Sequence, residues 1–347
     1  MKIHLFVVPI LISTATYSQT KKEDSLRSQN IKSYKNYFYL WPVIQQRSTS
    51  FDIVNQDRSN PKLTYKPNGD YSVGIGAYIF KVSFEASLSV PPASEKEKLY
   101  GHSSSSDYQF NLLSKRWGVN GFAQNYNGFY QTDSDKPVPA GVVYPQRPDI
   151  STWNTGVNGI YIFNSKRYSL RAAYNFSERQ LKSGGSFLLT GTINTFSFRA
   201  DSGVYGHNYE SIYGAKADFS KLDLTTFSVA PGYGYTLVVK NLFLNGSLAI
   251  GPAQHWIYYR SDAVSSTETK LNSFIDLRLS IGYNSDRFFG GVSFVAQSRN
   301  VKIEQVQFTS TSTTFRMLVG YRFQEFGILK KSVWDFIPFK KKDKQKN

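Results

Sequence analysis

The sequence predicts an all-β protein whose strands form an antiparallel transmembrane β-barrel, and two observations lead to this prediction. First, apolar and polar residues alternate through residues 71–90, YSVGIGAYIFKVSFEASLSV, with a break at Phe80 and Lys81. Successive side chains of a strand point to opposite faces, so this stretch predicts two strands joined by a short turn, with a shared apolar face. Second, short turns alternate with long polar loops along the chain, as they do in barrels of the bacterial outer membrane.

The N-terminus predicts export. Lys2 is followed by an apolar run and then by small and polar residues ending at Ser18, which is the order of a secretory signal peptide. Residues 1–18 are therefore expected to be removed, and a buried first strand is the alternative interpretation. The chain has no cysteine and so offers neither a lipid-attachment site nor a disulfide. Residues 19–34 are polar and are expected to be a flexible segment ahead of the barrel.

Positive charge is concentrated at the C-terminus. The chain has 41 Lys and Arg against 25 Asp and Glu, a net charge of +16. Lysines recur from Lys330 to Lys346, after the last predicted strand, so residues 324–347 are expected to form a basic periplasmic tail. Such a tail can lie against anionic head groups or bind a periplasmic or envelope partner. No nucleic-acid recognition fold accompanies the charge, so nucleic acid is not an expected partner.

Residues 35–323 are expected to form the barrel, and the turns set its strand count. Five short turns fall near residues 80, 115, 165, 240 and 285. Residues 168–176 alternate after the third of these turns and are expected to be a strand. With short periplasmic turns and a last strand that ends at Phe323, the count is about twelve. Residues 179–221 are then an excursion folded over the barrel or into its lumen, which leaves residues 186–198 outside the wall.

A soluble β-sandwich has the same alternation and is the competing fold. Three features together favour the membrane barrel: strands of about nine residues or more, aromatic residues near strand ends, and the asymmetry between turns and loops. The last strand also ends on an aromatic residue, which resembles the signal that the barrel-assembly machinery reads. The expected location is therefore the outer membrane of a Gram-negative bacterium, with outer-membrane lipids and that machinery as partners.

The sequence offers little for catalysis. It contains no HExxH motif, no GxSxG turn and no phosphate-binding glycine loop, so no catalytic residue, metal or cofactor is assigned. A lipid-modifying barrel enzyme would need a serine beside a histidine and a third group that orients the histidine. His102 next to Ser103 is the one such pairing, and we interpret it as part of a serine-rich loop. The protein is expected not to be an enzyme.

Charged residues on the polar faces of the predicted strands are candidate lumen residues. They are Glu85, Arg171, Asp276, Arg278, Arg316 and Arg322. A charge inside a barrel needs water or a partner. These residues therefore either line an aqueous channel or form ion pairs that close a small lumen, and both interpretations stay open.

Several segments resemble a family of uncharacterised outer-membrane proteins of Bacteroidetes-type bacteria that carry a domain of unknown function. They include YKPNGDYSVGIGAYIFKVSFEASL from Tyr65, YPQRPDI from Tyr144, YIFNSKRYSLRAAYNFSERQLKSGGSFLLTG from Tyr161 and GYGYTLVVKNLFLNGSLAIG from Gly232. The strings RPDI and RQLKSGGSF are the most specific parts. The resemblance implies an outer-membrane barrel and assigns no activity.

Two of these segments supply further candidate lumen or plug residues. Arg147 and Asp149 open a strand after a long loop, whereas Arg179, Lys182 and Ser183 precede a pair of glycines. Glycine lets a backbone approach a wall closely, so the two segments are expected to meet at the outer mouth or inside the lumen. Ordinary loop anchors are the alternative.

The expected function rests on the fold. The protein is predicted to be a non-enzymatic outer-membrane barrel, either a narrow or plugged porin-like pore or a structural and partner-binding protein of the envelope. A lipid-modifying enzyme and a subunit of an envelope assembly or secretion complex are the alternatives.

Overall fold

A computed structural model describes residues 25–34, 36–57, 61–69, 71–79 and 82–330. The predicted signal peptide, the turn at residues 80 and 81, and the tail beyond residue 330 lie outside the described residues. The strands are β1 (Ile31–Ser33), β2 (Tyr37–Asn55), β3 (Lys62–Lys66), β4 (Tyr71–Ile79), β5 (Val82–Ser89), β6 (Ser104–Leu113), β7 (Trp117–Asp133), β8 (Gln146–Ile162), β9 (Glu178–Gln180), β10 (Gly184–Arg199), β11 (Phe219–Val239), β12 (Leu242–Ser261), β13 (Ser265–Asn284), β14 (Phe288–Ile303) and β15 (Val306–Gln324). The helices are α1 (Ser94–Tyr100), α2 (Leu170–Tyr174) and α3 (Glu210–Tyr213). No helix within the described ranges is long and apolar enough to cross a membrane.

The strands run between two different ends of the molecule. Short turns at residues 114–116, 240–241 and 285–287 lie at one end, here called the turn end. Residues 134–145 and 200–218 lie at the opposite end, here called the loop end. Three of the predicted short turns are therefore confirmed. The predicted asymmetry is matched only in part, because the short turns at residues 262–264 and 304–305 also lie at the loop end.

Ten strands of the described chain form a closed antiparallel ring: β2, β3, β7, β8 and β10 to β15. The ring closes where β15 pairs with β2, from Val306 opposite Asn55 to Gln324 opposite Tyr37. β3 joins β2 to β7 near the loop end only. Towards the turn end, β4 and β5 extend the sheet from β2, and β6 extends it from β7. The predicted count of about twelve strands is therefore not exactly matched, because ten strands close the ring and three join it from the side.

An apolar belt surrounds the outside of the barrel. Its exposed side chains include Val73, Ile75, Leu88, Val157, Ile193, Val229, Leu248, Ile250, Leu279, Ile281 and Val319. Aromatic residues mark both borders: Tyr161, Phe163, Phe187, Tyr235, Tyr283 and Phe288 at the turn end, and Trp153 and Trp256 towards the loop end. The outward positions of β13 are polar at the level of Trp256, where Thr269 lies opposite it, and beyond that level at Thr267. The opening pair of strands, β4 and β5, contributes to this belt as the alternation predicted.

β10 crosses the wall of the barrel and corrects the predicted excursion. It pairs with β8 along one edge and with β11 along the other, over residues 188–199 on both sides. Phe187 and Ile193 point outward, whereas Thr190, Thr192 and Asn194 are buried inside. The expectation that residues 186–198 lie outside the wall is therefore wrong.

Residues 168–176, predicted as a strand, lie inside the barrel and form α2. Ser169 begins the helix, where its side chain accepts a hydrogen bond from the backbone N–H of Ala172. Tyr168, Leu170 and Phe176 are all at most 2% exposed because they pack against their surroundings inside the barrel, whereas Arg171, Tyr174 and Asn175 are half-buried. The alternation that predicted a strand reflects burial in the lumen. Residues 168–176 are therefore not a strand of the wall, whereas β10 is.

The N-terminal segment packs beside residues 168–176 and also occupies the lumen at the turn end. β1 pairs with β9, with Ile31 opposite Gln180, so residues 25–34 and 163–183 form one unit that we call the plug. Tyr34 is 2% exposed and packs with Tyr39 and Phe289 of the wall. The expectation of a flexible segment over residues 19–34 is wrong from residue 25 onward.

A second segment of the chain closes the barrel at the loop end. Residues 200–218, including α3, fold into the mouth of the barrel and pack on an apolar cluster of the inner wall. The hydroxyl of Tyr65 donates to the Val204 carbonyl at 2.6 Å, and that of Tyr213 donates to the Pro61 carbonyl at 2.6 Å. We call this segment the cap. Both mouths of the barrel are therefore occupied by its own chain.

Candidate functional site

Hydrogen bonds cross the lumen between the plug and the cap. The Asn154 side chain on β8 donates to the Ser312 hydroxyl on β15 at 3.2 Å, although these strands are not neighbours in the wall. The same amide donates to Gln124 at 3.0 Å and accepts from Asn194 at 2.9 Å. A barrel of ten strands leaves so little interior width that side chains of facing strands meet. These hydrogen bonds close the barrel along its axis at a third level, between the plug and the cap.

A cavity of about 920 Å³, lined by apolar, polar and charged side chains, lies between the crossing bonds and the plug. Gln45, Arg47 and Asp107 line it towards the crossing, and Glu85 and Arg316 line it towards the plug. Trp41, Phe122 and Tyr174 supply aromatic surface. The size and the mixture of aromatic and polar groups are those of a small-molecule site.

The wall beside this cavity is open at one join. β5 pairs with β4, and β6 pairs with β7, but in the described chain no ladder connects β5 to β6. Both strands line the cavity, β5 through Glu85 to Ser87 and β6 through Asp107 to Asn111. At every other join of the barrel wall, backbone hydrogen bonds would have to break before a molecule could pass. The β5–β6 join therefore gives the cavity a side entrance.

Two ion pairs frame the cavity. Glu85 on β5 pairs with Arg316 on β15, and the Trp41 indole N–H donates to the same carboxylate at 3.1 Å. Arg47 on β2 reaches past the end of β4 to Asp107 on β6, with 3.6 Å between nitrogen and oxygen. The Glu85 pair ties β5 to the ring, and the Arg47 pair bridges the join at its loop-end limit.

Ion pairs also join Asp276 to Arg278 and Arg171 to Glu178, whereas the hydrogen bonds of Arg322 go to neutral oxygen atoms. Asp276 is 2% exposed and receives two hydrogen bonds from Arg278, at 2.7 and 2.9 Å. Arg171 belongs to α2 rather than to a strand, and it lies 3.4 Å from Glu178 in the plug. Arg322 is fully buried at the turn end, where it donates to the Phe176 carbonyl at 2.6 Å. These contacts support the closed-lumen interpretation.

The two segments expected to meet lie at opposite ends of the barrel. Arg147 holds Asp149 through two 2.8 Å hydrogen bonds at the loop end and also donates to the Val204 carbonyl of the cap at 2.7 Å. The Arg147 hydrogen bonds lower the pKa of the Asp149 carboxyl. Arg179 lies at the turn end, 3.1 Å from Asp286. Each pair anchors a different closure, so the expected meeting of the segments is wrong.

Lys182 and Ser183 are exposed at the turn end. The Ser183 hydroxyl accepts a hydrogen bond from the backbone N–H of Val238 at 2.9 Å, and the Lys182 carbonyl accepts one from Gln180 at 3.2 Å. The Ser183 contact joins the plug to β11, and the Lys182 contact lies within the plug. They lie away from the cavity lining.

His102 is an exposed residue in the loop between α1 and β6. Its Nδ1 lies 2.7 Å from the Glu97 carboxylate, and its side chain is 76% exposed. The neighbouring Ser103 hydroxyl donates to the Gly128 carbonyl at 2.8 Å. No group of three or more His, Asp or Glu side chains in the described ranges could hold a metal ion.

The residues of the cavity that sequence reasoning missed are Gln45, Arg47 and Asp107. Pro42 interrupts the alternation of β2, and this obscured the inward position of Gln45 and Arg47. Asp107 had a usable signal, because it shares its strand face with Gln109 and Asn111, opposite the apolar set that begins at Tyr108.

The closed ring, the apolar belt with aromatic borders and the polar interior define an outer-membrane-type β-barrel. The chain belongs to the family of the domain of unknown function DUF4421, whose family model matches residues 22–323.

Solved structures of other barrels are similar to this chain at low identity. The outer-membrane protease OmpT of Escherichia coli has 8% identity and a TM-score of 0.40, over 84% of this chain and 98% of that one. The translocator domain of the autotransporter NalP of Neisseria meningitidis has 8% identity and a TM-score of 0.35, over 88% and 95%. The outer-membrane protein OprG of Pseudomonas aeruginosa has 11% identity and a TM-score of 0.23, over 84% and 99%. No curated protein matches the chain.

Proposed function

We propose that this protein is a barrel of a Gram-negative, Bacteroidetes-type outer membrane that is closed along its axis and serves as a binding or structural protein of the envelope. The apolar belt supports membrane insertion, because such a surface would be costly in water and is favourable in hydrocarbon. The polar outer positions beyond Trp256 suit strand extensions outside the cell.

The observation that carries the proposal is the occupation of both barrel mouths by segments of the chain itself. The plug is held by buried charge: Glu178 is fully buried and lies 2.5 Å from Arg27 of the N-terminal segment. The cap is held by the tyrosine hydroxyl bonds and by Arg147. Between them, the Asn154 to Ser312 bond crosses the lumen. A solute would have to displace three separate closures to pass along the axis.

Liposome swelling tests the proposal. Wild-type protein reconstituted at the density of a control porin is expected to give no swelling with small sugars. A variant that lacks residues 25–34 is expected to stay closed, because α2, the crossing bonds and the cap remain. Wild-type swelling at a rate near that of the porin would contradict the proposal.

The partners expected from the sequence stay proposals. We propose outer-membrane lipids as the surroundings of the belt, the barrel-assembly machinery as a partner in biogenesis, and a periplasmic or envelope partner for the tail of residues 330–346. Capture experiments with and without residues 331–347 test the last of these, and identical capture by both forms would remove it. The chain is also proposed to lack enzymatic activity, which a lipid-release assay checks.

A further inference from the structure

Positive charge is concentrated at the turn end of the barrel. The described turns that follow β6, β8, β11 and β13 each contain a lysine or an arginine, as does the segment that leads into β10. None of these basic residues is buried, and we call the set the basic rim: Lys115, Arg116, Lys166, Arg167, Lys182, Lys240 and Arg287. Among the described residues of this end, Asp286 is the one exposed acidic residue, because Glu178 and Glu325 are buried.

The loop end does not share this excess of positive charge. Its two short turns carry Asp262 and Glu304 in place of a basic residue. Its longer segments, residues 134–145 and 200–218, contain acidic as well as basic residues. The basic rim is therefore a property of one end of the barrel and not of its whole surface.

The basic rim lies beside the aromatic border of the belt. Arg116 directly precedes Trp117, and Arg287 directly precedes Phe288; the two aromatic side chains are 43% and 60% exposed. Aromatic residues at the edge of a barrel belt lie at the level of the lipid head groups. A neighbouring arginine or lysine can lay its methylene stem along apolar surface and extend its charge to that level. The position of the rim is therefore that of head-group phosphates.

The basic rim also follows the perimeter of the barrel. Along the wall from β14 to β6, the β13–β14 turn, the β11–β12 turn, the start of β10, the end of β8 and the β6–β7 turn each carry at least one of its residues. A protein that docked on the plug would meet the centre of this end, whereas lipids surround the perimeter. The arrangement therefore favours a lipid surface over a protein partner.

We propose that the basic rim binds anionic glycerophospholipids of the periplasmic leaflet of the outer membrane. Its lysines and arginines donate hydrogen bonds to the lipid phosphates, and its net positive charge selects head groups without a compensating ammonium. The periplasmic leaflet is the one concerned because short turns of bacterial barrels are periplasmic. The proposal rests on the proposed function, since it requires a barrel inserted with its turn end towards the periplasm.

The first experiment compares two lipids that differ in net charge. The full-length mature protein is reconstituted in vesicles of equimolar phosphatidylglycerol and phosphatidylethanolamine with identical acyl chains, and the lipids that stay on the extracted barrel are counted by native mass spectrometry. One Lys or Arg at an anionic surface changes affinity by about fivefold, so phosphatidylglycerol is expected to be enriched at least about fivefold. Equal numbers of the two lipids would overturn the proposal and leave the rim solvated.

Two triple variants with the same net charge assign the enrichment to the basic rim. The rim variant combines substitutions of exposed residues at the turn end: Arg167→Gln, Lys182→Gln and Lys240→Gln. The matched control combines substitutions of exposed residues at the loop end: Lys136→Gln, Lys216→Gln and Lys302→Gln. The rim variant is expected to reduce the enrichment at least about threefold, and the control to keep it. Equal enrichment in both variants would assign the lipids to another part of the chain and overturn the proposal.

Ionic strength tests the wild-type protein without any substitution. Raising the salt concentration from about 0.1 to 1 M shortens the screening length from about 10 to 3 Å, so the enrichment should fall to near the vesicle composition. An enrichment that persists at the higher concentration would contradict charge as its origin.

Thiol labelling separates failure of this proposal from failure of the proposed function. The chain has no cysteine, so Gln305→Cys and Gln324→Cys each supply a single thiol, at the loop end and the turn end of β15. A polyethylene glycol maleimide too large for porins is expected to label the first in intact cells and the second only after the outer membrane is permeabilised. The reverse result would overturn the placement in the membrane on which both proposals depend. The expected labelling without lipid enrichment would overturn the rim proposal alone.

Discussion

The plug should depend on one carboxylate, that of Glu178. This side chain has no exposed surface and contacts two guanidinium groups, Arg27 at 2.5 Å and Arg171 at 3.4 Å. The Ser169 hydroxyl donates to it at 2.5 Å. Glu178→Gln keeps the size of the side chain and removes its charge. Two arginines then remain buried beside each other without their shared counter-ion.

The expected magnitude follows from that geometry. Removing one partner of a buried ion pair costs about 3–5 kcal/mol, because the other charge stays buried and uncompensated. We expect the lower end of this range, about 3 kcal/mol, because Arg27 also donates to the Ser165 carbonyl and keeps that bond. A loss of this size raises the population with an undocked N-terminal segment by roughly 100-fold.

Hydrogen exchange of the backbone amides of β1 and β9 measures this population, because these strands pair with each other alone. Lys32→Gln is the control: Lys32 belongs to the same segment and pairs with Asp286 at 2.8 Å, but the two side chains are 45% and 58% exposed. An exposed pair contributes about 1 kcal/mol or less, so this variant should change exchange by less than about fivefold. An equal, small effect of both variants would refute the idea that buried charge holds the plug.

Three further predictions concern the wall and the cap. Leu248→Arg places a charge in the belt and should lower the free energy of unfolding in lipid vesicles by about 2–4 kcal/mol, whereas Thr267→Arg on the polar extension should change it little. Equal effects of the two variants would contradict the position of the membrane at the belt. Arg147 lowers the pKa of Asp149, so this carboxylate stabilises the cap fully above its unfolded pKa of about 3.9, and the contribution is lost as pH falls through the lower folded pKa. Asp149→Asn should therefore reduce the loss of cap stability at acid pH. Proteolysis of the cap measured against pH checks this, and a profile unchanged by the substitution would contradict it. Tyr65→Phe removes one of the two donors to the Val204 carbonyl, which keeps its hydrogen bond from Arg147, and should destabilise the cap by about 0.5–1.5 kcal/mol. Hydrogen exchange of residues 200–218 measures this loss, and no change there would be the contrary result.

The wall of the barrel could be predicted from the sequence because each strand has one face in lipid and one in the lumen. Alternation records that difference locally, so the pair of β4 and β5 and the inward direction of Glu85 and Asp276 are confirmed. The final strand is confirmed for the same reason, with Phe323 at its exposed turn end.

The plug could not be predicted in this way. Residues 168–176 alternate like a strand but lie inside the barrel, so neither face of the segment meets lipid and the pattern does not indicate a strand of the wall. The partner of β9 is β1, about 150 residues earlier in the chain, and no local pattern records that pairing. Once this segment was counted as a strand, β10 had to be left out to keep the strand number even. The side entrance of the cavity was missed because it depends on β5 and β6 having no ladder between them in the described chain, which alternation within either strand does not show.

Single-channel recording in planar bilayers tests the central claim, closure of the axis, most directly. The mature full-length protein is inserted, and insertion is verified independently by protease protection of the barrel. The account predicts a quiet baseline over the voltage range in which porins conduct, with the plug, the crossing bonds and the cap in place. Stable conductance steps of porin size from the wild-type protein would contradict it.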